Sequence, residues 1–151
     1  MKKFEFTGEV KTLWWGCKVQ RIRALVEIDL GWMVVKPGDL GGWLEKESNL
    51  SHDGKAWVCG DAKVCGDAFL FRAEHLLTIG AIGSRNDFTT FFRNKKGEIK
   101  VKCGCFLGTV DEFLAKVQQT HGDTKFAVVY RACVTVALAQ IDTTPYEGEV
   151  K

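Results

Sequence analysis

From Gly54 the chain can be written in sixes: Gly54-Lys-Ala-Trp-Val-Cys59, Gly60-Asp-Ala-Lys-Val-Cys65 and Gly66-Asp-Ala-Phe-Leu-Phe71. A small Gly, a small Ala and an aliphatic residue return at fixed places. A six-residue period suits a parallel coil in which the aliphatic residue points inward and the small residues allow tight turns. Three hexads make about one such coil, and one coil cannot cover its own faces because repeat units depend on stacked neighbours. The repeat must therefore stack on the rest of the domain or on another subunit. The competing reading is a set of short strands and turns in an ordinary antiparallel sheet.

The flanking segments carry the signals of an α+β domain. Residues 4–35 read as β structure, because Ile22, Ala24, Val26 and Ile28 alternate with Arg21, Arg23, Glu27 and Asp29, the period of a half-buried strand. Pro37-Gly38-Asp39 followed by Gly41-Gly42 is dense turn punctuation, so a reversal is expected just before Trp43. After the repeat, residues 76–79 read as a strand, 80–86 as a loop and 88–93 as a second strand. Asn94-Lys95-Lys96-Gly97 then makes a hairpin turn whose returning strand runs to residue 106. Thr109-Val-Asp-Glu112 matches a capping box, predicting one helix to about His121 and a second from Asp123 or Thr124 to about Ile141. That second segment is apolar on nearly every side, which implies burial between the sheet and a further surface such as a subunit partner; its valines leave a strand open. The expected organisation is a single domain, 1–141: mainly β over its first two-thirds, with the repeat at 54–71, the loop and hairpin at 76–106, and two C-terminal helices at 109–141. Residues 142–151 read as a loose tail.

Composition narrows the function classes. A length of 151 residues with 46% hydrophobic and 26% charged content fits one folded domain and not a disordered or fibrous chain. The net charge of +2 is too weak a field to make nucleic acid the default partner. No stretch reaches the roughly 18 apolar residues that cross a bilayer, and no export signal is legible, so a cytoplasmic protein without a membrane partner is expected. The six cysteines are then expected as free thiols.

Candidate chemistry concentrates after the repeat. Between Thr78 and Arg93, Gly80 and Gly83 expose backbone N–H groups, Ser84, Asn86, Thr89 and Thr90 offer short polar side chains, and Arg85 and Arg93 can fork onto phosphate or carboxylate. Phe88, Phe91 and Phe92 stand beside them. From Arg85 to Lys102 six basic residues face only Asp87 and Glu98, a local excess of +4. Donors next to flat apolar surface suit a small anionic, nucleotide-like ligand. The expected binding residues are Gly83, Ser84, Arg85, Asn86, Thr89, Thr90, Phe91 and Arg93, with Trp43 as a further aromatic. Cys103-Gly104-Cys105 places two thiols on one face of an expected strand, which His121 could join. The single-residue gap and the missing second pair differ from the usual zinc spacing, so small buried residues are the competing reading and no metal or cofactor is expected. No histidine adjoins a nucleophile motif, so a non-enzymatic protein is the expectation.

Gly38-Asp-Leu-Gly-Gly-Trp43, the Gly-Asp-Ala hexads, the Thr78–Phe92 stretch and Lys102-Cys-Gly-Cys-Phe106 together resemble a group of small phage and prophage proteins without an assigned activity, over roughly residues 20–141. Members of that group often carry more hexads, with tyrosine at the positions of Cys59 and Cys65, and Ile-Gly-Pro-Ile-Gly where this chain has Ile79-Gly-Ala-Ile-Gly83. The resemblance implies phage origin, speaks against a metal or redox role for Cys59 and Cys65, and allows a variable repeat number. By analogy with small phage proteins that blunt host defence, it suggests a homo-oligomer that sequesters a nucleotide signal. A protein–protein inhibitor or assembly component and a nucleotide hydrolase are the alternatives.

Overall fold

The computed structural model describes residues 1–13 and 16–147. The fold is α+β, with ten strands in three sheets followed by two helices among the described residues. Strands β1 (Phe4–Thr12), β2 (Lys18–Ala24), β5 (Leu40–Leu44) and β6 (Lys63–Val64) form the first sheet; β3 (Ile28–Asp29) and β4 (Val34–Val35) form a small hairpin. In the other four-stranded sheet β7 (Leu76–Ile82), β8 (Asp87–Arg93), β9 (Ile99–Cys103) and β10 (Phe106–Thr109) follow one another as an antiparallel meander.

The hexads coil as their period requires. Val58, Val64 and Leu70, the fifth residues of the three repeats, are each 0% exposed, and Ala56, Ala62 and Ala68 are also buried. Gly54, Gly60 and Gly66 all have positive φ, from +57° to +76°, which a residue without a Cβ adopts freely. The coil is not alone. Leu44 pairs in parallel with Val64, and Leu50 with Leu70, so residues 41–51 lie beneath the repeat as a preceding rung. At the third corner the Gly42 N–H donates to the Val58 carbonyl at 2.7 Å. The opposite edge of the last hexad joins the second sheet, where Phe69 N–H donates to the Arg93 carbonyl at 2.9 Å.

This stacking corrects one expectation. Gly41-Gly42 is not part of the turn, which closes at Pro37–Asp39, but lies inside β5. A Cβ on Gly41 would meet Ile22, Trp57 and the Val58 carbonyl at 2.7 Å, and one on Gly42 would meet Val58 at 2.6 Å. The glycines are there for close approach of neighbouring backbone.

The second sheet has two covered faces. Along β8, Phe92 belongs to the core beneath the coil, while Phe91 packs with Phe113, Val117, Tyr130 and Val134 under the helices. The period of two in a strand thus splits adjacent phenylalanines between two cores. Helix α1 (Val110–His121) starts at the expected box: Thr109 Oγ1 accepts from Glu112 N–H at 3.1 Å, and Glu112 Oε1 accepts from Thr109 N–H at 3.0 Å. Helix α2 (Lys125–Gln140) settles the helix-or-strand alternative for that segment. Val128, Val136 and Leu138 on it remain exposed.

Two further expectations change. Cys103-Gly104-Cys105 is not a continuous strand: β9 ends at Cys103, and Phe106 returns to pair with it across a two-residue turn in which Gly104 has φ +55°. Cys103 is half-buried and Cys105 exposed. Residues 142–147, expected as a loose tail, run back along the Asn94–Gly97 turn. Tyr146 N–H donates to the Lys95 carbonyl at 2.8 Å, and its ring lies 4.8 Å from Phe69 and 4.7 Å from Phe71. The two phenylalanines come from the last hexad, a long-range partner invisible in a terminal stretch. The rest of that expected tail, 148–151, lies outside the described residues. No helix among the described residues is long and apolar enough to cross a membrane.

Candidate functional site

The β7–β8 connection is a tight turn. Asn86 N–H donates back to the Gly83 carbonyl at 3.2 Å, and Gly83 and Asn86 take φ of +77° and +52°; glycine and asparagine are the residues that reach this region most readily. The turn leaves Ser84, Arg85 and Asn86 exposed. Beside it sits the Gly104-Cys105 turn, and the two turns face the C-terminal half of α1. Together they enclose a cleft of about 210 Å³.

Each wall has a local cause. Ser84, Arg85 and Asp87 come from the first turn and the start of β8, and Gly104, Cys105 and Phe106 from the second turn. On α1, Phe113, Lys116, Val117, Thr120 and His121 all line the cleft; their three- and four-residue spacings place them on one helical stripe. Tyr130 of α2 closes the floor. Its ring stacks with His121 at 5.6 Å and meets Phe113 edge-on at 5.7 Å. Burial, helped by the adjacent Cys103 thiol, pushes the Tyr130 hydroxyl up to about 12, so it remains protonated at neutral pH and acts as a hydrogen-bonding group, not a base. The cleft therefore presents cationic groups at Arg85 and Lys116, a carboxylate at Asp87 and an aromatic interior of Phe106, Phe113, His121 and Tyr130.

The structure divides the residues expected from sequence. Ser84 and Arg85 line the cleft. Asn86 is exposed in the turn but outside the lining, and Gly83 lies behind it, against the Tyr130 hydroxyl. The others are interior. Thr89 is 1% exposed and donates from Oγ1 to Cys103 Sγ at 3.3 Å; Thr90 and Phe91 are buried in the sheet. Trp43 is buried in the coil region, with Lys11 Nζ 4.3 Å from its ring centre. Arg93 is 0% exposed and directed elsewhere: Nε donates to the Asn94 carbonyl at 3.1 Å and Nη1 to the Asp142 carbonyl at 2.6 Å. Alternation in β8 and the docking of residue 142 take these side chains away from the cleft, and neither effect has a local sequence signature.

Asp87, Phe106, Lys116, Thr120 and Tyr130 were not among the expected binding residues. The spacing of Lys116, Thr120 and His121 was readable as one helix face. That this face meets the Ser84-Arg85 turn required the tertiary arrangement.

Cys103, Cys105 and His121 all line the cleft, but they are not among the described residues whose ligand atoms lie close enough together to share an ion. Among the described residues the His, Cys, Asp and Glu side chains close enough to share an ion are Glu74, His75 and Asp142, and their hydrogen bonding argues against one. His75 Nδ1 accepts from the backbone N–H of Arg72 at 3.2 Å and of Phe71 at 3.4 Å. That places the ring proton on Nε2, where a metal would need a lone pair. Nε2 instead faces Asp142 Oδ2 at 3.7 Å, which also pairs with Arg72 at 3.4 Å. The group is a set of donors around a carboxylate.

No protein-family model, curated protein or solved structure matches the chain.

Proposed function

We propose that this is a phage-encoded binding protein that captures, without turning over, a small anionic and nucleotide-derived ligand in the cleft between the Ser84-Arg85 turn and α1, and so sequesters a host defence signal. The observation that carries the reading is the convergence of Arg85 and Lys116 on a cleft walled by Phe106, Phe113, His121 and Tyr130. A phosphate calls for cationic donors, a base for a flat apolar surface, and ligand sites characteristically combine an apolar lining with a few placed polar groups. Phage origin rests on the sequence resemblance, and the anti-defence role on analogy with other small phage proteins. A homo-oligomer fits the exposed apolar residues of α2, Val128, Val136 and Leu138.

The test is to incubate the protein with a panel of cyclic and ADP-ribose-type nucleotides, denature it by heat, and analyse the supernatant. Depletion followed by release of intact ligand supports capture. An altered ligand points to catalysis, and no depletion of any compound overturns the reading.

A second reading, a protein–protein inhibitor, draws on a different surface. Trp32 at the tip of the β3–β4 hairpin is 76% exposed, and Met33, Val34 and Leu40 near it are exposed as well. Exposed aromatic and aliphatic clusters are characteristic of interfaces. Substituting Trp32 by serine separates the two: it leaves nucleotide depletion intact and abolishes a protein contact made through this patch.

A further inference from the structure

The cleft contains one group that a purely anionic ligand should avoid. Asp87 lines it beside Arg85 and across from Lys116, and its charge is strong enough locally to add to the upward shift of the Tyr130 hydroxyl, after burial and Cys103. The carboxylate is anchored, since Oδ1 accepts from Phe88 N–H at 2.7 Å. A carboxylate has two oxygens and about four lone-pair directions; Phe88 N–H takes one of them and the Lys102 ammonium lies within electrostatic reach, and the exposed part of Asp87 that lines the cleft has acceptor capacity left for a ligand. A phosphate next to it would be repelled; a hydroxyl or amine would be bound. The ligand must then be bipolar, with acceptors toward Arg85 and Lys116 and donors toward Asp87.

Size narrows the choice. The cleft of about 210 Å³ is smaller than the roughly 300–1,000 Å³ of pockets that enclose drug-sized ligands, so the part of a ligand that it seats is about one nucleotide unit. Within a nucleotide the donors that lie between base and phosphate are the sugar hydroxyls. Resting on the capture reading above, we propose that the ligand is a ribonucleotide whose 2′,3′-diol donates to Asp87, with its phosphate toward Arg85 and Lys116 and its base against His121 and Phe106. Asp87 is then the residue that separates ribose from deoxyribose, because a site built to hydrogen-bond a hydroxyl rejects the analogue lacking it.

The experiment is calorimetric titration of the full chain with AMP, GMP, their 2′-deoxy counterparts, inorganic phosphate and tryptophan, repeated on Asp87→Ala, Asp87→Asn and Arg85→Ala. The expected result is binding of the ribonucleotides at least tenfold tighter than the deoxyribonucleotides, a ratio that collapses to within twofold in Asp87→Ala, which has no side-chain acceptor, while its melting temperature stays near that of the parent. Asp87→Asn keeps one carbonyl oxygen that accepts from a hydroxyl and should retain part of the ratio. Equal affinity for ribose and deoxyribose in the parent, with binding still lost in Arg85→Ala, overturns the role of Asp87 and leaves the cleft reading standing. Binding of tryptophan in place of nucleotides, lost in Asp87→Asn, overturns the ligand class, because an amino acid is also bipolar. Binding of no probe by the parent overturns the ribonucleotide proposal, and the capture reading then stands or falls on the depletion panel above.

Discussion

The hydroxyl of Tyr130 lies against the Cα of Gly83, in the space that a Cβ at that position would occupy. This contact ties α2 to the turn that carries Ser84 and Arg85, and Gly83 is required twice over, by the approach of the ring and by its φ of +77°. Gly83→Ala should destabilise by about 1–3 kcal/mol through overpacking, with the left-handed backbone adding to the cost. For a domain of this size each kcal/mol lowers the melting temperature by roughly 2–4 °C, which calorimetry resolves. Gly83→Ala combined with Tyr130→Phe should recover part of that loss and not all of it, since the ring edge and the backbone strain remain. Full additivity of the two substitutions would show that the contact does not exist in solution.

The two arginines expected from sequence to share a role should separate cleanly. Arg85→Ala changes an exposed turn residue and should shift stability by no more than about 0.5 kcal/mol while abolishing ligand depletion. Arg93→Ala removes a fully buried guanidinium that holds the Asn94 and Asp142 carbonyls. Leaving buried acceptors unsatisfied costs about 1–3 kcal/mol each, so this variant should melt lower and still bind ligand at temperatures where it is folded. Paired thermal and binding assays on the two variants check the contrast.

What could be read in advance follows the range of the interaction. The capping box at Thr109, the Asn94–Gly97 hairpin and the inward Val58-Val64-Leu70 register are local, each set by residues within a turn or a repeat, and the structure has them. Gly41-Gly42 reads as turn in the sequence because glycine serves both turns and close approach, and only the stacked rung at Val58 distinguishes the two. At the site, the exposed turn of Ser84 and Arg85 was legible from its own chemistry. Lys116 and Tyr130 were not, because nothing between residues 84 and 130 encodes that the helices fold back over that turn. The buried positions of Thr89, Phe91 and Arg93 were hidden for the same reason: both faces of β8 are covered by distant segments.

The stacked-rung geometry of the coil can be tested directly. Val64→Ala and Leu70→Ala empty fully buried positions. The leucine truncation should cost about 2–5 kcal/mol, and the valine somewhat less. Gly42→Ala should also cost stability although it removes nothing, since its Cβ would lie 2.6 Å from Val58 and 2.7 Å from the Ala62 carbonyl. Denaturant unfolding of the three variants measures this. A neutral Gly42→Ala would mean that residues 41–51 do not stack on the repeat.

Acid should destabilise the protein in two steps. Burial, together with the neighbouring Arg93, lowers the His75 pKa, against opposing effects of Glu74 and Asp142. The folded state then resists a proton that the unfolded chain accepts near its value of about 6.5, so stability present above that pH is lost as the pH falls below it. Asp142 is held down to about 2, chiefly by its hydrogen bonds with Thr144 and then by His75. Its contribution is present above the unfolded value of about 3.9 and is lost as the pH falls from there toward 2. Melting temperatures from pH 8 to 3 should show both slopes, and His75→Gln should remove the upper one while keeping the lower. An unchanged upper slope in His75→Gln would assign it to another group.

The C-terminal segment is the last element whose role can be separated from its position. It spans the two cores: α2, which it follows, lies over the second sheet, while Tyr146 packs on Phe69 and Phe71 of the last hexad, and Asp142 meets Arg72, His75 and Arg93. Ending the chain after Ile141 removes these contacts at once. The aromatic pairs alone contribute about 0.5–1.5 kcal/mol each beyond burial, and the buried donors His75 Nε2 and Arg93 Nη1 lose their nearest acceptors. The truncated chain should therefore melt several degrees lower, and Tyr146→Ala should reproduce part of that drop. The cleft lies away from this segment and shares no lining residue with it, so ligand depletion by the truncated protein, measured below its melting temperature, should match that of the full chain. Loss of depletion without loss of stability would place the C-terminal segment in the binding site and overturn its assignment as a strap between the two cores.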